Sequence, residues 1–240
     1  MGPTGSGKTD LAEALADRVD AQLVNADAFQ VYRGLDIGTN KPKDRGRYRL
    51  LDLVEPDEPF GVGEWVRLAR EILDDLFARR RSAVFVGGTG LYIRALFEEY
   101  AEMGEAPPPE LRAQVDDWRR TEGVEGLLRR LEAIGIPEGL DQKNPVRVSR
   151  ALERALHPSP APPVRLPPFR KRKVAISIPS AQLAERVLAR TRDFVQNGWV
   201  SEVEGLRSRG IGEDAPGMRA IGYRTLLRHL DGDVDREDAI

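Results

Sequence analysis

The sequence predicts an α/β fold, in which a parallel sheet is covered on both faces by helices and carries a helical insertion. Two observations support this fold class. Short apolar runs alternate with longer segments of helical periodicity over the first hundred residues, which is typical of strand–helix–strand units. A glycine-rich stretch near the start leads directly into a helical segment, as expected of a phosphate-binding loop.

The elements of the predicted sheet domain follow one another along the chain. Apolar residues recur with helical spacing after the glycine-rich stretch and again from Trp65. Short runs of strand-forming residues end at Asp27, Pro56 and Gly87. In chain order we predict a helix over residues 11–19, strands over 21–27 and 47–54, a helix over 65–77, a strand over 82–86 and a helix from Leu91.

The pattern changes near residue 99, where strand signals stop. Helical segments are predicted over 111–118 and 127–134. Asn144 and Pro145 then predict a new helix, with the asparagine as N-cap and the proline at its first position. We assign residues 1–98 and 144–240 to a core domain and 99–143 to a helical insertion. The core is expected to end with a strand over 173–178 and an amphipathic helix through Leu183, Val187, Leu188 and Phe194.

Composition excludes several classes of protein. The chain has 240 residues, a net charge of −2, no cysteine and two histidines, His157 and His229. Disulfides, cysteine zinc sites and histidine metal clusters are therefore not expected. No apolar stretch approaches the ~20 residues of a membrane span, and no signal peptide is visible. We expect a cytoplasmic monomer that is not associated with a membrane, and a polyanion would have to bind at a local basic patch.

The phosphate-loop pattern is complete in "GPTGSGKT", which predicts a P-loop NTPase-like sheet. Glycines let backbone amides turn toward phosphate oxygens, Lys8 supplies a positive charge, and the Thr9 hydroxyl can ligate Mg²⁺. A glycine turn that caps a helix is the alternative. The pattern predicts a phosphoryl group but no reaction, because kinases, NTPases and enzymes with a diphosphate leaving group all use it. The candidate diphosphate-binding residues are Gly2, Pro3, Thr4, Gly5, Ser6, Gly7, Lys8 and Thr9.

A carboxylate near the loop is the next requirement. In NTPases a strand commonly ends in a magnesium-binding aspartate, but "SAVFVGGTG" has glycine at that point. Asp27, at the end of the strand over 21–27, is the best-placed acid if that strand neighbours the loop. A role as a turn or N-cap residue is the alternative for Asp27, and another strand could carry the magnesium ligand.

Five ordered motifs make the sequence resemble the tRNA dimethylallyltransferases, also called tRNA isopentenyltransferases. The resemblance runs from Gly2 to about Arg224, and adenylate isopentenyltransferases of plants share several of the motifs. It implies transfer of a dimethylallyl group from its diphosphate to N6 of the adenosine 3′ to the anticodon, with release of pyrophosphate. The motifs are "GPTGSGKT", "NADAFQVYRGLDIGTNKP", "VGGTGLYIRAL", "NPVRVSRALE" and "MRAIGYR".

The resemblance also implies roles for individual residues. Asp27 matches the catalytic aspartate, Thr89 matches a threonine that orients the adenine, and Arg190 matches an arginine that contacts the diphosphate. Thr89 as a helix N-cap and Arg190 on a solvated helix face are the alternatives. The implied tRNA contacts are Asp27, Ala28, Phe29, Gln30, Arg112, Val146, Arg147, Val148, Ser149 and Arg150. Arg147, Arg150 and Arg154 share one helix face, which independently favours a polyanion site, although such faces are commonly just solvated.

The sequence departs from the family pattern at four places. Ala28 replaces the usual serine and Val146 the usual glutamine. The family also has a hydrophobic strand before the loop and a basic, aromatic segment after the last motif. Because this sequence contains neither, we expect it to be truncated or mis-started, with reduced activity. A free-adenylate isopentenyltransferase, a P-loop kinase of nucleotides or small molecules, and a non-catalytic binding remnant are the alternative functions.

Overall fold

A computed structural model describes residues 2–97, 107–158 and 166–239 of the chain. The chain divides into two compact units, one formed by Met1–Glu99 with Val164–Ile240 and the other by Tyr100–Pro163. The first contains the sheet, and the second is helical in its described part. No described helix has both the length and the apolar character needed to cross a membrane.

A parallel sheet lies at the centre of the first unit. Strand β1 (Ala21–Asn25) pairs with β2 (Tyr48–Arg49) on one side and with β3 (Ser82–Val86) on the other. Both pairings are parallel, and Leu23 lies opposite both Tyr48 and Val84. Because parallel strands end at the same edge, this register brings the residues after Asn25 beside those after Val86.

The predicted second strand is much shorter than expected. Only Tyr48 and Arg49 pair with β1, and a single parallel bridge joins Tyr32 to Val54 farther along. Leu50 and Asp52 have positive φ angles of 65° and 52°. Such angles are incompatible with extended backbone, so the prediction of a continuous strand over 47–54 was wrong.

Helices cover both faces of the sheet, as predicted. On one face Ala12 and Ala16 of α1 (Lys8–Val19) pack against Leu23. On the other, Trp65 of α2 (Val62–Ala78) lies edge-on to Phe85 at 6.0 Å between ring centroids. Trp65 also stacks on Tyr92 of α3 (Gly90–Phe97). Residues 65–77 and the strand over 82–86 therefore lie where the sequence predicted them.

The C-terminal part of the first unit is helical. The prediction of a strand over 173–178 was wrong: none of the described sheet pairings includes these residues, and most of them are exposed. An apolar run becomes a strand only when a neighbour completes its hydrogen bonds. Helices α6 (Ser180–Gln196), α7 (Trp199–Ser208), α8 (Tyr223–Leu230) and α9 (Arg236–Ala239) follow, and Trp199, Val203 and Tyr223 pack into a shared core.

The second unit has its own core between α4 (Pro109–Ile134) and α5 (Pro145–Leu156). Helix α4 is broken at Gly123, whose φ and ψ are 69° and −170°, which accounts for the two predicted helical segments. Val148, Ala151 and Leu152 of α5 pack against residues of α4 such as Leu127. This packing places α5 in the helical unit, so the insertion extends well beyond the boundary at residue 143 that the sequence suggested.

Candidate active site and nucleic-acid contacts

The glycine-rich loop of residues 2–9 turns directly into α1, which begins at Lys8. Gly5 and Gly7 have φ angles of 82° and 76°, a backbone conformation that residues with a Cβ rarely adopt. The loop is closed by the Ser6 amide, which donates to the Pro3 carbonyl at 3.3 Å. Lys8 Nζ donates to the same carbonyl at 2.8 Å, so its ammonium group lies over the loop.

Helix α6 packs beside this loop. A Cβ placed on Gly5 would lie 3.6 Å from Arg186 Cβ and 3.7 Å from both Leu183 Cδ1 and Val187 Cγ2. Arg190 follows Arg186 by one helical turn on the same face, and its guanidinium carbon lies 5.2 Å from the centre of the Phe194 ring. The sequence singled out Arg190 only by resemblance, whereas the structure places its helix against the loop.

Asp27 lies just past the end of β1, in a turn held by several hydrogen bonds. Its Oδ1 accepts from the Phe29 amide at 3.0 Å, and its own amide donates to Asn25 Oδ1 at 3.0 Å. The amide of the next residue, Ala28, donates to Thr89 Oγ1 at 2.9 Å. Thr89 therefore ties the segment after β3 to the segment that carries Asp27.

Gly87 allows these two strand ends to approach each other. A Cβ at this position would lie 2.1 Å from both the carbonyl carbon and the oxygen of Ala26, far inside any allowed contact. Gly88 is also close, because a Cβ on it would lie 3.2 Å from Asp27 Oδ2. Gly87 is thus required by close backbone approach to the turn of residues 26–29 that carries Asp27, here called the acid-bearing turn, and Gly88 leaves room for the Asp27 carboxylate.

Lys8, Asp27 and Arg190 share one electrostatic environment. Burial lowers the pKa of the Lys8 ammonium, while the Asp27 carboxylate raises it and the Arg190 guanidinium lowers it further. Burial also lowers the pKa of Arg190, and Asp27 opposes that shift. Two cations and one carboxylate from the loop, α6 and the end of β1 therefore act on each other. Such a charged cluster at the carboxyl edge of a parallel sheet is typical of a ligand site.

The segment after Asp27 is anchored by contacts of its own side chains. Gln30 Nε2 donates to the carbonyls of Thr39 and Asn40 at 2.9 and 3.0 Å, which occupies both of its donors. Lys41, with a side chain only 1% exposed, donates to Tyr32 O at 2.6 Å and forms ion pairs with Asp36 and Asp52. These contacts fix the loop that follows Phe29 and Gln30.

Two further anchors come from residues distant in sequence. Glu202 of α7 accepts from the amides of Asp36 and Ile37 at 2.8 and 2.7 Å. Trp65 Nε1 donates to the carbonyl of Asn25 at 2.9 Å. Nothing in the local sequence pattern marks these residues, because each acts on a segment more than thirty positions away.

Thr9 fits the role of a partial magnesium ligand. It lies in the first turn of α1, directly after Lys8, and is half-buried. Mg²⁺ is commonly held by one or two protein oxygens together with phosphate oxygens and waters. Among the described residues no group of three acidic or histidine side chains could hold a metal by itself, so an ion here would share its ligands with a diphosphate.

The basic residues predicted to contact tRNA lie in the helical unit. As predicted, Asn144 caps α5: its Oδ1 accepts from the amides of Val146 and Arg147 at 3.1 and 3.2 Å. Val146 is 58% exposed at this helix start, where the family pattern has glutamine. Arg147 forms a long ion pair of 3.9 Å with Asp141.

The expected tRNA contact of Val148 needs correction. Its side chain is fully buried in the core between α4 and α5, so it cannot touch RNA in this conformation. Ser149 is 5% exposed, and its hydroxyl has no hydrogen-bond partner among the described residues. Arg112 and Arg150 remain partly exposed, and both form ion pairs with Glu153.

Comparison with known proteins places the chain in a family. The sequence profile described as IPP transferase matches residues 30–240. The chain belongs to the IPP transferase family. It is 40% identical to a tRNA dimethylallyltransferase of Bifidobacterium animalis subsp. lactis, over all of this chain and 73% of that protein. It is 36% identical to tRNA dimethylallyltransferase 2 of Geotalea uraniireducens, over all of this chain and 81% of that protein.

A solved structure agrees with the sequence comparisons. The structure resembles the full-length tRNA isopentenylpyrophosphate transferase of Bacillus halodurans, with a TM-score of 0.69 and 31% identity over 99% of this chain and 78% of that chain. The predicted family, the predicted fold class and the prediction that the chain is a prenyltransferase are confirmed by these similarities.

Proposed function

We propose that the protein transfers a dimethylallyl group from dimethylallyl diphosphate to N6 of the adenosine 3′ to the anticodon in tRNA, and releases pyrophosphate. The observation that carries this proposal is the phosphate-binding loop that begins α1 at Lys8, packs against helix α6 and lies in the same unit as the Asp27 turn. The charges of Lys8, Arg190 and Asp27 act on one another in agreement with this arrangement. Family membership supports the same reaction, since curated relatives are named tRNA dimethylallyltransferases.

The proposed reaction requires a carboxylate that acts as a general base and a site that binds the diphosphate. The nitrogen of N6 attacks the allylic carbon, a C–N bond forms, and the C–O bond to the diphosphate breaks. The electron pair of that bond leaves with pyrophosphate. Because the adenine amine shares its lone pair with the ring, it is a weak nucleophile, and its proton has to be removed as the new bond forms.

Asp27 is suited to accept this proton. Its Oδ1 is engaged by the Phe29 amide, while Gly88 leaves space beside Oδ2. The other oxygen is thus the one positioned to face a substrate amine. Thr89 accepts from the Ala28 amide, which holds the turn in place without occupying an oxygen of the Asp27 carboxylate. General-base catalysis of this kind typically contributes ~10²–10⁴ in rate.

The loop and α6 are suited to hold the leaving group. Negative charge grows on the diphosphate as the C–O bond breaks, so fixed positive groups there stabilise the transition state more than the ground state. Loop amides, Lys8 and Arg190 would supply those groups, and Gly2–Thr9 would form the cradle. Mg²⁺ held through Thr9 would neutralise further phosphate charge when bound.

The tRNA is proposed to contact both units. Asp27, Ala28, Phe29 and Gln30 border the acid-bearing turn, and in the helical unit Arg112, Arg147 and Arg150 are the cationic side chains proposed to contact phosphates. A stacked adenosine has to be extruded before its N6 can react, at a cost of a few kcal/mol. Phosphate contacts of this kind offset part of that cost but do not read sequence.

The test uses the chain with unmodified tRNA, MgCl₂ and dimethylallyl diphosphate labelled in the prenyl group. Parallel reactions also contain AMP, or ATP with candidate small-molecule acceptors. Label in RNA at the adenosine 3′ to the anticodon is the expected result, and omission of Mg²⁺ should reduce it. Label in free AMP but not in tRNA would instead identify an adenylate isopentenyltransferase. Transfer of the γ-phosphate of ATP to a small molecule, without prenyl transfer, would identify a kinase.

A further inference from the structure

A buried carboxylate lies between two arginines of the helical unit. Glu153 is 2% exposed and lies on α5 next to Leu152, which is part of the core between α4 and α5. Isolated carboxylates are rarely buried, because loss of hydration has to be compensated by charged partners. A glutamate at this position therefore has to be explained by what it binds.

Its partners come from both helices. Arg150 Nη1, one turn before it on α5, donates to Oε1 and Oε2 at 2.5 Å each. Arg112 of α4 places Nε 3.8 Å from Oε2. The arginine side chains are 46% and 40% exposed, whereas that of Glu153 is 3% exposed. The carboxylate is thus under the surface, and the two guanidinium groups extend from it toward solvent.

We propose that Glu153 is a positioning residue that presents Arg112 and Arg150 together as one phosphate-binding fork for tRNA. This inference rests on the proposed function, because it takes tRNA as the polyanion. A guanidinium has five donors. Glu153 accepts hydrogen bonds from Arg150 Nη1, whereas Arg112 is held only by the longer ion pair, and its buried Nε has no hydrogen-bond partner among the described residues. Within the described residues neither arginine has another ion-pair partner, so the remaining donors stay available at the surface. Two cations and one anion leave the cluster with a net charge of +1.

The sign of the Glu153→Gln effect separates positioning from simple charge. If Glu153 only reduced the positive potential, its replacement by glutamine would remove a repelling charge and tighten tRNA binding. If it positions the arginines, the same change frees both side chains to move, and binding weakens despite the more positive surface. We expect about 3- to 10-fold weaker tRNA binding, and a salt dependence whose slope falls by about 1.

The experiment measures tRNA binding to the full chain as a function of salt, together with kcat and KM for labelled prenyl transfer. In Glu153→Gln, KM for tRNA should rise while kcat and pyrophosphate binding stay within about twofold. In an Arg112→Ala, Arg150→Ala background the same glutamine substitution should have no further effect on tRNA binding. Tighter binding in Glu153→Gln, or an equal loss in the double-alanine background, would overturn the proposal.

Two further variants keep the result interpretable. Glu153→Asp keeps the charge but shortens the side chain, so any loss of tRNA affinity arises from geometry; it carries the test if the glutamine variant does not fold by circular dichroism. Glu122→Gln is the matched control, since Glu122 also pairs with two arginines, Arg129 and Arg130, but at a side chain 32% exposed. We expect Glu122→Gln to leave tRNA binding unchanged.

Wild-type behaviour distinguishes failure of this inference from failure of the proposed function. If wild type neither binds nor prenylates tRNA, the proposed function is wrong, and the inference falls with it. If wild type does both and Glu153→Gln binds tRNA as well as wild type, only the inference is wrong.

Discussion

The acid-bearing turn and the phosphate loop lie in the same unit but are held in different ways. The turn around Asp27 is fixed by the neighbouring Asn25 side chain and by Thr89 and Trp65 from elsewhere in the chain. The loop is closed mainly by its own Pro3 carbonyl, which accepts from both Ser6 and Lys8. Ser6 Oγ is buried and has no partner among the described residues.

This difference indicates how the two regions divide the work of catalysis. A carboxylate held by the protein is already oriented before substrate arrives, so it can lower the barrier without rearrangement. In the loop, the Pro3 carbonyl accepts from the Ser6 amide and from Lys8. Other loop amides and the Ser6 hydroxyl therefore keep donors that can bind an anion. Substitutions at the turn should therefore change mainly kcat, and substitutions in the loop should change mainly the binding of diphosphate.

The largest effect is expected for Asp27→Asn. Loss of the base should lower the single-turnover rate of prenyl transfer by ~10²–10⁴, while the dissociation constant of pyrophosphate stays nearly unchanged. Asp44→Asn, at an exposed aspartate, is the control. An equal loss of pyrophosphate binding in Asp27→Asn would show that Asp27 supports the loop structurally, and the division between the two regions would not hold.

Lys8→Ala should weaken pyrophosphate binding by ~10- to 100-fold, because a charge-assisted contact is worth ~1.5–3 kcal/mol. Isothermal titration calorimetry in the presence of Mg²⁺ measures this constant. The exposed Lys43 provides a matched lysine-to-alanine control. A normal dissociation constant in Lys8→Ala would remove the cradle role from the loop.

Thr89→Val should lower kcat by about 10-fold, since it removes the acceptor of the Ala28 amide and leaves that donor unsatisfied, at a cost of ~1–3 kcal/mol. Thr89→Ser retains the hydroxyl and should stay near wild type. Steady-state kinetics on tRNA compares the two. If valine and serine behave alike, the hydroxyl does not orient the acid-bearing turn.

The smallest effect is expected for Ser6→Ala. Because the hydroxyl has no partner in the described structure, its removal should leave the thermal unfolding midpoint unchanged or slightly higher. Pyrophosphate affinity should fall by no more than about 3-fold. Differential scanning fluorimetry with and without pyrophosphate measures both quantities. A clear drop in the midpoint without ligand would mean that Ser6 already stabilises the loop.

Local patterns predicted the parts of the structure that depend on neighbours in sequence. Strand β3 ends where Gly87 follows Val86, and Asn144 caps α5 as its side chain dictates. The prediction of a strand over 47–54 was wrong because Leu50 adopts a left-handed conformation that its residue type does not predict. The assignment of α5 to the core domain failed because the apolar face of α5 does not itself show which neighbour it packs on, and the structure packs it on Leu127 of α4.

The candidate site shows the same division. The motif predicted the phosphate-binding role of the glycines and Lys8, and the position of Asp27 after a strand predicted that it lies near the loop. Lys41, Glu153 and Glu202 could not be found in this way, because their roles depend on buried contacts with backbone or side chains from other segments. Buried charged residues are unusual enough that burial itself is the informative signal, and burial requires the fold.

A crystal structure of the chain with pyrophosphate, Mg²⁺ and an anticodon stem-loop RNA tests the central claim most directly. The measured quantity is the distance from the Asp27 carboxylate to N6 of the extruded adenosine. The account predicts ~2.6–3.2 Å, with pyrophosphate on the loop amides and Lys8 on the opposite side of that base. Pyrophosphate bound away from the loop, or a carboxylate directed away from N6 with no bridging water, would contradict it.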